Sequence, residues 1–411
     1  MSEPELSEPI RSTHQALRPP SPLQGDPAAP DPSPIEDHYI YETLDTTRRQ
    51  IRLIKVYYGA AYPYPVNESI GFGCTIRTYD TDKMPPYIAL SYTWGASFPV
   101  RDVWINGKRW VVRKNLRNFL TSFARSRVHE IDHLWIDALC IDQENTRERN
   151  HQVRMMADIY RDSQHVITWL DESCYEPLQC IIDGSRSSGH LESILNNGYF
   201  SRLWIVQEVS LARHVEIMCG DILIAWNVLR EIATVPDIHS ERRAATLLFH
   251  YVMNNKSSVR LKHAWSNSLA SRIWSYSAMG CEDHRDKVYG LLGMVGFQSS
   301  IPEIDYSKSV KRVCLDALRI ILMESAIEIV PRLTNIALFL IRNMFLSERH
   351  QVALERLFKS VDKLYVSTVR MGSHPGDLPV DAIGLEETLS PEIWWYEYQG
   401  EKRFFPVGVR G

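Results

Sequence analysis

The chain has 411 residues, 44% of them hydrophobic and 23% charged, the balance of a globular protein rather than a disordered or fibrous one. Its 46 basic and 50 acidic side chains leave a formal charge of -4, so no global field draws it to nucleic acid or to an anionic membrane, and neither is expected as a partner. Seven scattered cysteines, never spaced as C-x-x-C, and 14 histidines without an H-E-x-x-H pattern argue against a disulfide framework and against a structural metal.

Taken in chain order, the opening MSEPELSEPIRSTHQ holds no apolar stretch for a signal peptide and is too acidic and proline-rich for a transit peptide, which predicts a cytoplasmic protein. Nine of the 22 prolines fall within the first 34 residues, and residues 1–37 are expected to be a disordered tail. Strands are expected within residues 39–54 and near Thr75. From Tyr87 the pattern is regular: YIALSY, HLWIDALCI and HVITWL are short apolar runs that read as buried parallel strands. Between the last two, Val153, Met156, Ile159 and Tyr160 recur at the spacing of one helix face, an amphipathic crossover helix. A polar insert follows Leu170, then a helix over residues 199–212, then the strand VEIMCG.

Alternation of this kind predicts an α/β fold, a parallel sheet flanked by helices with right-handed crossovers, over residues 38–235. Residues 236–345 read as mainly helical, through RAATLLFHYVMNN, SNSLASRIWSYSAM, KVYGLLGMV and SVKRVCLDALRIILMESAIEIV, and VLREIATV leads into them. No architecture is assigned to residues 346–411. The apolar stretch at residues 336–341 is far short of the roughly 20 residues a membrane span needs, so none is expected.

Three blocks carry a resemblance: Tyr87-Ile-Ala-Leu-Ser91-Tyr92-Thr-Trp94-Gly95; Leu134-Trp135-Ile-Asp137-Ala-Leu-Cys140-Ile-Asp142-Gln143-Glu144-Asn145; and Arg202-Leu-Trp204-Ile-Val-Gln207-Glu208 running on to Cys219-Gly220. In order and spacing they resemble the fungal heterokaryon incompatibility (HET) domain. A further piece, Arg285-Asp286-Lys287 to Gly293 and then Asp305-Tyr306-Ser307, resembles what often follows that domain. The resemblance implies a module of non-self recognition and programmed cell death signalling in a filamentous fungus, working through protein partners or self-association. The family is in turn similar to TIR domains, whose flavodoxin-like sheet some members use to cleave NAD through a glutamate on a helix. Ser201-x-x-Trp204-x-x-x-Glu208 is similar to the TIR pattern of serine, tryptophan-cysteine and glutamate, except that Ile205 stands at the cysteine position. This second resemblance implies an alternative: an NAD-cleaving enzyme with Glu208 as its essential carboxylate and NAD as substrate, without a resident cofactor.

Each candidate site residue also has a plain structural reading. Trp204 and Glu208 share a helix face, an aromatic wall beside a carboxylate suited to stabilising an oxocarbenium-like sugar; alternatively Trp204 is core and Glu208 caps or pairs with Arg202. Asp137 and Asp142 lie at and beyond a strand end, where open α/β sheets gather ligand groups, or Asp142 caps the next helix. Ser91, Tyr92, Trp94 and Gly95 end another strand; Gly95 permits a sharp turn or a close ligand, and the two aromatics either pack or stack. G-x-G-x-x-G and G-K-[ST] are absent, so nucleotide binding by a phosphate loop is not expected. Arg147, Glu148 and Arg149 read as a solvated first helical turn rather than an anion site, and Cys140 and Cys219 as buried small hydrophobes.

Overall fold

The computed structural model describes residues 38–64, 71–126, 133–185, 187–229, 268–296, 301–327, 333–344, 346–370, 382–386, 393–398 and 401–406. The expected tail over residues 1–37 and the helical segment RAATLLFHYVMNN lie outside the described residues, as does nearly all of VLREIATV.

The fold is organised by an antiparallel pair, β1 (Gln50–Tyr58) and β2 (Phe72–Asp80), whose apolar side chains, Ile51, Leu53 and Ile54 from one and Phe72, Cys74 and Ile76 from the other, enter the core, with Ile54 directly opposite Ile76. β3 (Tyr87–Tyr92) is buried at every position. It pairs in parallel with β6 (His133–Trp135) on one side and with β7 (His165–Trp169) on the other, and β7 pairs in parallel with β8 (Val215–Cys219). Burial on both faces is what continuous apolar runs such as YIALSY specify. Two hairpins close the edges. β4 (Val100–Ile105) and β5 (Lys108–Arg113) turn through Asn106 and Gly107, both at positive φ (52° and 78°), the two-residue turn that matches strand twist; β9 (Ile222–Ala225) folds back on β8. Among the described residues nine strands form this sheet, in the order β5-β4-β2-β1-β6-β3-β7-β8-β9. It is an α/β sheet, mixed rather than parallel throughout, because β1 meets β6 antiparallel and both edges are hairpins.

Helix α1 (Lys114–Ser126) buries Leu116, Phe119, Leu120 and Ala124 and packs on β1, β4 and β5. HLWIDALCI is not one strand: only His133–Trp135 is extended, and α2 (Asp137–Cys140) follows, so Cys140 lies in a helical turn. An apolar run of that length does not distinguish a buried strand from a buried helical turn. α3 (Thr146–Asp162) has the expected apolar face, and hydroxyls fix it to β3: Tyr160 donates to the Leu90 carbonyl at 3.0 Å and Tyr87 to that of Ile159 at 2.6 Å. Its cap is Asn145, whose Oδ1 accepts from the Glu148 amide at 3.1 Å; Asp142 instead accepts from the Glu144 amide within the preceding loop.

The first turn of α3 is also not simply solvated. Glu148 and Arg52, 2% and 1% exposed, form a two-pronged ion pair at 2.5 and 3.0 Å. Arg52 donates further to the carbonyls of Cys140 and Glu42, and Glu148 accepts from the Asp142 amide at 2.7 Å. The pair joins β1, the loop after α2 and α3 through charge-assisted hydrogen bonds.

The polar insert after Leu170 folds into α4 (Tyr175–Ile182) and α5 (Ser188–Leu195). The helix expected over residues 199–212 divides into a 3-10 turn, Gly198–Ser201, and α6 (Ile205–Ser210). Beyond lie α7 (Leu269–Tyr276), α8 (Asp286–Leu292), α9 (Val310–Ile327), α10 (Leu333–Asn343) and α11 (Glu348–Arg370). β10 (Ala382–Glu386), β11 (Ile393–Tyr398) and β12 (Glu401–Pro406) make an antiparallel sheet of their own.

The helical region is part of the same core. Arg202 and Gly280 form a parallel bridge through flanking backbone hydrogen bonds, Leu203 N to Gly280 O at 2.8 Å and Gly280 N to Ser201 O at 2.6 Å, while α8 packs on α6. Among the described residues no helix is long and apolar enough to cross a membrane, and no group of three or more His, Cys, Asp or Glu is placed to hold a metal ion.

Candidate functional site

A cleft of about 760 Å³ opens where β3 ends, where α2, α3 and α6 begin, and where the 280–286 segment crosses them. Its first wall grows from β3. The chain leaves that strand through Gly95 at φ 74°, where a Cβ would strain the backbone and come within 3.3 Å of Asn115. The turn aims the Trp94 indole at α2, and its Nε1 donates to Asp137 Oδ2 at 2.9 Å. The Arg113 guanidinium lies 5.1 Å from the Trp94 ring centre. Burial raises the Asp137 carboxyl above its ordinary value, opposed by the Arg202 charge and by the bond from Trp94.

The second wall is the start of α6. Trp204 precedes the helix, and the amide of Glu208 donates to its carbonyl at 3.2 Å, which places the indole and the carboxylate one turn apart. Glu208 is 2% exposed, and its Oε2 accepts from Ser91 Oγ at 2.5 Å. Ser91 Oγ is 2.7 Å from the Tyr199 hydroxyl, itself 3.1 Å from Thr168 Oγ1, so a buried hydroxyl chain backs the carboxyl. Burial lifts Glu208 from 4.5 to about 7, although the Arg202 charge and the Ser91 bond both pull it down. Arg202 reaches Glu208 only through its field; its Nη1 is given to the Tyr92 carbonyl.

The third wall comes from the helical region. Asp286, the first residue of α8, accepts from Trp204 Nε1 at 2.9 Å and from the Tyr306 hydroxyl at 2.6 Å, and burial lifts it from 3.8 to about 6. The Tyr306 ring in turn carries two guanidiniums, Arg149 at 4.1 Å and Arg285 at 5.2 Å.

Trp94, Asp137, Trp204 and Glu208, singled out from the sequence, therefore line one cleft. Ser91 is fully buried behind Glu208, Tyr92 is buried in the core and Gly95 forms the turn. Asp142 is held in the loop before α3, outside the lining. Sequence reasoning set Arg149 aside as part of a solvated first turn and did not select Tyr199, Asp286 or Tyr306. The segments around Asp286 and Tyr306 had been singled out as a block, which is the signal that could have placed them at the site. The arrangement sets carboxyls that exchange protons near neutral pH beside indole faces in a partly shielded space, a setting for general acid-base work or for stabilising a developing cation.

Residues 87–208 match the family model described as heterokaryon incompatibility protein (HET). A stretch of 109 residues, 24% of the chain, is 34% identical to heterokaryon incompatibility protein 6, OR allele, of Neurospora crassa; the match covers 16% of that relative's length. No solved structure matches the chain.

Proposed function

We propose, from the HET domain that residues 87–208 carry, that the chain is a cytoplasmic fungal protein of non-self recognition and programmed cell death signalling, acting through protein partners or self-association. The observation that supports this reading is the match itself, which spans β3, α2, α3 and the start of α6, the elements of the first two walls of the cleft; the relative is named for heterokaryon incompatibility. The test is induced expression in a filamentous fungus, scored for death of the expressing compartments. Normal growth at every expression level sinks the proposal.

One observation favours a second, compatible reading, in which the module kills by cleaving NAD. Glu208 is nearly buried yet lines the cleft with Trp94, Asp137 and Trp204. Breaking the bond between nicotinamide and ribose builds positive charge on the sugar. A carboxylate fixed beside that charge, with indoles excluding water, stabilises it more strongly than solvent does. Ser91 holds the carboxyl in place, and Asp137 is a second carboxyl in the lining of the same cleft. Release of nicotinamide is measured for the wild type and for Glu208→Gln, both free and forced to self-associate. Loss of release in the variant is the expected result. Release that survives the substitution removes Glu208 from the reaction, and no release in any assembled state leaves the signalling reading alone.

A further inference from the structure

Among the arginines at this cleft, Arg149 is used least. It sits in the first turn of α3, immediately after the buried Glu148, and lines the cleft half-buried, its guanidinium 4.1 Å from the centre of the Tyr306 ring. Its Nε is buried and has no hydrogen-bond partner among the described residues. Of the acids around it, Glu148 is held by Arg52, Asp283 by Arg285 at 2.6 Å, and Asp286 by Trp204 and Tyr306, so the Arg149 charge acts on Asp283 and Asp286 through its field without a hydrogen bond; Glu282 also lines the cleft. Arg285, on the same aromatic ring, is the contrast. It gives Nε and Nη2 to Asp283 and Nη1 to the carbonyls of Tyr306 and Lys308.

A guanidinium drawn partly out of water without an acceptor is costly to keep, unless something that binds beside it supplies one. Tyr306 holds the group ready. Its hydroxyl is pinned by Asp286, and its face supports the flat cation, so little side-chain freedom remains to be lost on binding. With Nε buried, the edge of the Arg149 fork that a ligand can reach is the one formed by Nη1 and Nη2. That edge takes two oxygens side by side from a phosphate or a carboxylate, and a phosphate brings the greater negative charge to the cation. The cleft volume of about 760 Å³ falls within the range of small-molecule sites, and two indoles, Trp94 and Trp204, stand in its lining, a composition that suits a flat ring.

We propose that Arg149 is the anion-recognition residue of this cleft and that its ligand is a phosphate-bearing small molecule with a flat ring. The inference rests on the reading of the cleft as a ligand site and requires no bond to break there. It is therefore tested at equilibrium in the Glu208→Gln background, by calorimetry or by tryptophan fluorescence, with ADP, adenosine and succinate as probes. ADP binds more tightly than adenosine, and Arg149→Met weakens ADP by about ten- to a hundredfold while leaving adenosine unchanged. Arg149→Lys, which keeps the charge and loses the fork, falls between and serves where the methionine variant does not fold. Three results overturn the proposal: ADP binding no better than adenosine, ADP binding indifferent to both Arg149 variants, or an Arg149-dependent affinity for succinate that ADP lacks. Failure of NAD cleavage leaves all three binding arms readable, and failure of the Arg149 effect leaves the nicotinamide assay untouched.

Discussion

Replacing Glu208 by glutamine keeps the side chain's size and removes its ionisation. In the folded protein burial carries that carboxyl from 4.5 to about 7, against the pull of Arg202 and Ser91. A raised carboxyl pKa means that the folded state keeps a proton the unfolded chain has already released. Stability from this group is therefore fully present at low pH, declines as pH rises from about 4.5 to about 7, and is flat above. The interval is about 2.5 pH units, and at about 1.4 kcal/mol per unit the decline is about 3 kcal/mol. Glutamine does not titrate. The stability of the wild type minus that of Glu208→Gln should fall by about this amount between about pH 5 and about pH 8, because groups that do not interact with Glu208 titrate alike in both proteins and cancel. Urea unfolding of the two proteins across that range reads the difference directly. A difference that stays level, or that grows with pH, would mean that Glu208 is charged in the folded state and that Arg202 outweighs burial.

Arg52→Met strands Glu148 in the core without its cation and should cost about 3–5 kcal/mol, visible as a lowered urea midpoint. Changing both residues to methionine should recover much of that loss, and single variants as stable as the wild type would refute the reasoning. Gly293→Ala would ordinarily be harmless near a helix end, but here a Cβ would fall 2.5 Å from Gln207 Oε1 and 2.6 Å from Ala157 Cβ. A lowered thermal midpoint, from an overpacking cost of about 1–3 kcal/mol, is expected. An unchanged midpoint would mean that α3 and α6 separate freely from α8.

Strands β3, β7 and β8 are legible in the sequence because short apolar runs between polar neighbours suit a sheet covered on both faces. α3 is legible because its apolar residues keep one helical stripe. HLWIDALCI misleads for the same reason that the others succeed: everything in it is buried, so no periodicity marks where strand becomes helix. The β4–β5 hairpin carries a local signal that went unread, Asn106-Gly107 between residues of alternating burial. The cleft divides in a similar way. Trp94, Asp137, Trp204 and Glu208 stand in recognisable blocks at element ends, whereas Arg149 looks like any charge in a first turn. Its position in a cleft wall depends on contacts between α3 and the distant 303–308 segment, such as Asn150 Nδ2 to Asp305 Oδ1 across 155 positions, which no local pattern reports.

The family match begins at Tyr87 and ends at Glu208, but the sheet does not respect those limits. β6 takes its outer partner from β1, and β7 takes its outer partner from β8, both beyond the matched span. A fragment cut at these limits would display raw strand edges on both sides of β6-β3-β7, its most apolar strands. Such edges recruit further chains by backbone pairing, so the excised piece is a template for aggregation rather than a smaller working protein. A soluble unit must keep the β1–β2 hairpin and the strands beyond Glu208, and to keep the third wall of its cleft it must reach past Tyr306.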